Sequence, residues 1–66
     1  MDNLNQLDLD QFWFEVENKL AIADTANDKQ VVRTIASNVY QLYSYGKIES
    51  YELCDKFSEL LLAVGV

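Results

Sequence analysis

The sequence predicts an all-α fold: an antiparallel three-helix bundle with a loose N-terminal lead-in. Three observations carry that prediction. Apolar side chains recur at helical spacing in three segments. Short polar clusters, with capping residues or a glycine, separate those segments. No stretch alternates usefully with the two-residue period of a half-buried strand. The β-branched pair Val31-Val32 is the one weak sign of strand. A chain of 66 residues forms one domain rather than two, near the lower limit of independent stability. The expected division is a flexible lead-in over residues 1–7 and a single three-helix domain over 8–66.

The first helix is predicted over about 9–23. Asp8 or Asp10 can cap it, and Gln11 follows Asp8 at the spacing of a capping box. At 100° per residue, Leu9, Phe12, Trp13, Val16, Leu20 and Ala23 share an arc of about 100°. Asp24-Thr25-Ala26-Asn27 reads as a turn. Asn27 with Gln30, or Thr25 with Asp28, offers the capping-box spacing again. The second helix follows over about 28–45, with Val31, Val32, Ile35, Ala36, Val39, Leu42 and Tyr43 inward. Gly46 suits the left-handed position that ends a helix. Ser50 is a good N-cap for the third helix, predicted over about 51–63. Leu53, Cys54, Phe57, Leu60, Leu61 and Val64 form its inner arc, and Gly65 stops it. Residues 46–53 resemble a common helical-hairpin turn. Short connections between amphipathic helices imply antiparallel neighbours. Glu15 with Lys19, and Glu52 with Lys56, have the favourable i, i+4 order.

Composition removes several classes of function. The chain has no histidine and one cysteine, so no Ser–His or Cys–His pair, no zinc site and no intrachain disulfide is expected. The turn from Asp24 fails as a calcium loop, because Ala26, Lys29 and Ile35 occupy positions that need oxygen ligands or glycine. No glycine-rich loop offers itself to phosphate. Neither catalytic, metal nor cofactor residues are predicted, and the chain reads as a non-enzyme. Cys54 reads as a small core hydrophobe. Five basic against 11 acidic side chains give net −6, and the third helix would present Glu52, Asp55 and Glu59 to a DNA groove. Direct nucleic-acid binding is therefore disfavoured. The longest apolar run, Leu60–Val64, is far too short for a membrane span, and the first residues lack the basic start of a secretory signal. A lone thiol fits a reducing compartment, so the expected location is cytoplasmic.

Residues outside the predicted core carry the functional signal. Phe14 lies about 100° beyond the first helix's inner arc, and Ile22 falls off its opposite flank. Leu62 shares a flank of the third helix with Tyr51. These residues either widen the core or form an exposed interface. A second group is aromatic and acidic: Tyr40, Tyr45, Glu49, Tyr51, Glu52 and Asp55. Tyrosine supplies rigid contact area with a polar tip, and acids steer toward a basic partner. The expected function is a small regulator or inhibitor that covers a basic surface of another protein, conceivably a nucleic-acid-binding one. The rival is a homodimer or larger helical assembly built through Phe14, Ile22 and Leu62.

Overall fold

A computed structural model describes the backbone of residues 2–64 and the side chains of residues 7–64. Among the described residues the chain forms three helices and no strand. They are α1 (Asp2–Ile22), α2 (Ala26–Ser44) and α3 (Leu53–Val64), the last entered through a 3₁₀ turn at Ser50–Glu52. Each helix packs on the other two. Trp13 of α1 stands against Tyr40 of α2, while the carbonyls of Leu20 and Ala23 at the other end of α1 meet Lys29. The start of α3 lies beside α1 at Asp8. These pairings are compatible with an antiparallel order of consecutive helices, with α1 and α3 running the same way.

The first helix starts earlier than its sequence suggests. It begins at Asp2 rather than near residue 9, so residues 2–7 of the expected lead-in are helical, while Met1 lies outside the described residues. No glycine or proline interrupts residues 2–10, and extending an existing helix costs little per residue. Asp8 is consequently a mid-helix residue and not a cap. α1 ends without a glycine. Lys29 Nζ reaches back instead and donates to the Ala23 carbonyl at 2.8 Å and to that of Leu20 at 3.4 Å. An ammonium there satisfies helix-end acceptors and opposes the negative end of the dipole.

Thr25 is the N-cap of α2, its hydroxyl accepting from the Asp28 amide at 3.0 Å. The C-terminus follows the Schellman pattern. Gly46 sits at φ 75°, its amide donates to the Tyr43 carbonyl at 3.0 Å, and the Lys47 amide donates to that of Leu42 at 2.8 Å. The third helix does not open on a Ser50 cap. Glu49 takes the cap position, and its amide donates to Glu52 Oε1 at 3.0 Å. Ser50 is buried and donates its hydroxyl to α1 instead. With Glu52 engaged at the helix start, Lys56 pairs with Glu59 at 3.9 Å. The expected stop at Gly65 lies outside the described residues.

Phe12 and Val16 of α1, Val32, Ile35, Ala36 and Val39 of α2, and Leu53, Phe57 and Leu61 of α3 form the core. Phe12 and Phe57 are fully buried and meet edge to face, with ring centroids 5.6 Å apart. Leu9, Leu20, Val31, Tyr43, Ile48, Cys54 and Leu60 pack half-buried around them. Two residues predicted inside are not. Trp13 stays 43% exposed, because it stands at the edge of the arc and Tyr40 meets it on the rim. Val64 is exposed in the last turn of α3, where it lines a groove against α2.

Candidate protein-binding surfaces

The turn between α2 and α3 presents most of the predicted tyrosine and acid group. Gly46 turns the chain, half-buried Ile48 anchors it, and the Glu49–Glu52 hydrogen bond fixes the entry to α3. Tyr45 and Tyr51 flank this turn at 73% and 69% exposure. Glu49 and Asp55 are exposed and Glu52 half-buried. Here the backbone is held by helix-ending bonds while the aromatic rings project, an arrangement that reduces the ordering cost of a contact.

Tyr40 belongs to a different surface. Its ring stands 5.4 Å from Trp13 and 6.0 Å from Tyr43. Trp13 in turn packs 4.8 Å from Phe12, so an aromatic chain runs from the core to the rim. The rim belongs to an open groove between α1 and α2, with Val16, Leu20 and Ala36 among its lining and Trp13, Glu17, Arg33 and Tyr40 alongside. The chain's single tryptophan and single arginine thus line one groove with a tyrosine, and these three residue types dominate binding hot spots. The sequence reading missed this groove. It placed Trp13 in the core and Tyr40 in the tyrosine and acid group, and joined neither to Arg33.

The off-arc residues do not widen the core. Phe14, Ile22 and Leu62 are 60%, 70% and 80% exposed. Cys54 faces inward from α3, half-buried. Desolvation, and then the negative charges of Glu15, Asp55 and Asp8, push its thiol pKa up, so the nucleophilic thiolate is disfavoured. Among the described residues no group of three or more acidic, cysteine or histidine side chains is placed to hold a metal ion. No helix among them is long and apolar enough to cross a membrane.

The chain matches no protein-family model, no curated protein and no solved structure.

Proposed function

We propose that this chain is a small non-enzymatic regulator or inhibitor that binds another protein, and that its docking surface is the α2–α3 turn. The observation that carries the reading is the exposure of Tyr45 and Tyr51 on a braced turn among Glu49, Glu52 and Asp55. The rings supply contact area, and the acids favour a partner with a basic surface, nucleic-acid-binding surfaces included. The net charge of −6 would speed encounter with such a partner and make it salt-dependent. Tyr40, paired with Trp13 in the α1–α2 groove, lies outside this surface. The single, half-buried thiol fits a reducing compartment, and the reading places the protein in the cytoplasm.

The test is affinity capture with the wild-type chain and with Tyr51→Ala and Asp55→Lys as parallel baits. A specific basic partner should be retained by the wild type, released by added salt and lost from both variants. A partner that both variants retain, or that ignores salt between about 0.1 and 0.5 M, would overturn the assignment.

A further inference from the structure

The side of α1 turned away from the core has an organisation of its own. Leu7, Phe14 and Ala21 recur every seven residues, a spacing that drifts only about 20° per step around a helix. Gln11 and Asn18 lie beside them, and Ile22 closes the arc. All six are exposed, and at 100° per residue they span about 100° with no charged side chain between them. Asp10 and Glu17 border the arc on one side, Asp8 and Glu15 on the other.

α3 adds a further exposed apolar residue, Leu62. Asp8, Glu15 and Ile22 form a second seven-residue series on α1. Its first member bonds Ser50, and its first two bear on Cys54, so this flank faces α3. From the Asp8–Ser50 contact, Ile22 lies about 21 Å further along one helix and Leu62 about 18 Å along the other. With α1 and α3 running the same way, the two are nearly level along the bundle.

We infer that this face joins two copies of the chain, in a symmetric contact centred on Phe14. Charge limits a second copy to this face. Two molecules carrying −6 each repel, and the uncharged arc lets them approach without burying a carboxylate. Spacing argues for it too, because Leu7, Phe14 and Ala21 stack in one stripe that an identical helix can match, with Gln11 and Asn18 beside it setting register at a cost in stability. Area is sufficient. Leu7, Phe14, Ile22 and Leu62, each at least 60% exposed, present on the order of 500 Å² of apolar surface, the size of the largest and often functional patch on a monomer. Two copies together cover about 1,000 Å², the lower bound of a specific interface. In either orientation of a symmetric contact the middle residue, Phe14, meets its own copy.

The test is molar mass by light scattering over roughly 10 μM to 1 mM, with low and high salt compared. The expected result is a species of twice 7.6 kDa that gains population with concentration and with salt, because salt screens the mutual repulsion. Phe14→Glu and Leu62→Glu should each raise the dissociation constant at least tenfold with unchanged helicity. Phe14→Cys in a Cys54→Ala background should oxidise to a covalent dimer, whereas Tyr45→Cys in that background should not. This substitution reports even if the charged variants fold poorly. Monomer at every concentration would overturn the inference and leave the face to a foreign partner. A dimer indifferent to Phe14→Glu, or one in which Phe14→Cys fails to cross-link, would overturn it as well. Salt separates this contact from the α2–α3 docking surface, since it should strengthen the first and weaken the second.

Discussion

Ser50 at the entry to α3 donates its hydroxyl to the Asp8 carboxylate of α1 at 3.2 Å, across 42 positions of sequence. Ser50 is the buried polar residue of the described core, and no buried side-chain nitrogen or oxygen there lacks a partner. The bond fixes where α3 begins against α1. Losing one partner leaves the other without that contact. Ser50→Ala and Asp8→Ala should each cost about 1 kcal/mol, and the double variant less than the two together. Urea unfolding of the four chains checks the cycle, and strict additivity would mean the bond contributes nothing.

That bond also marks what the sequence hid. Ser50 is a good capping residue and Asp8 begins a plausible capping box, so local spacing assigned each to its own helix. Their actual use is tertiary, and no local pattern reports a contact 42 residues away. The inner arcs were legible because helical periodicity reflects burial directly: Phe12, Val16, Ile35, Phe57 and Leu61 all lie where their spacing puts them. Margins were not. Trp13 and Val64 sit at arc edges, where burial depends on the facing side chain. The exposed apolar residues Phe14, Ile22 and Leu62 were legible as misfits. The Trp13–Arg33–Tyr40 groove was not, since it exists only when two helices pack.

Neighbouring aromatics in α1 offer a direct comparison of burial. Phe12 is fully buried against Phe57 and Trp13 stands on the rim. Phe12→Ala should cost about 3–5 kcal/mol, enough to unfold a domain of this size at room temperature. Trp13→Ala should cost about half as much or less and leave the helical signal intact. Circular dichroism melts decide the order, and equal losses would contradict the placement of Trp13.

The end of α1 depends on a side chain from α2. Lys29 Nζ meets the carbonyls of Ala23 and Leu20, in a connection that contains no glycine. Lys29→Met keeps most of the apolar stem and removes the charge. It should destabilise by about 0.5–1 kcal/mol, with the loss reduced in high salt. Amide exchange at the last turn of α1 should rise more than at its centre.

Gly46 isolates a backbone effect. A Cβ there would meet nothing within 4 Å, yet φ is +75°. Gly46→Ala should therefore cost about 1 kcal/mol through conformation alone, and Gly46→Asn less, because asparagine tolerates the left-handed region. Chemical denaturation of the three chains should give that order. A Gly46→Ala chain as stable as the wild type would mean the turn is not held in this conformation in solution.

Cys54 sets a limit on alkaline stability. Burial raises its thiol pKa, with Glu15, Asp55 and Asp8 adding to the shift. A thiol with a higher pKa in the folded chain keeps its proton after the unfolded chain has lost its own. Above the unfolded thiol's pKa of about 8.5, the unfolded state binds fewer protons, so stability falls as pH rises. Below that value the thiol contributes no pH dependence. Cys54→Ala should abolish this component above about pH 8.5, whatever constant penalty it adds for the lost side chain. Alkylation by iodoacetamide gives a second readout. Its rate on the folded chain should rise with pH later than on the chain in urea, since only the thiolate reacts. A folded chain that alkylates as early as the unfolded one would show that the thiol faces water and is not held against α1.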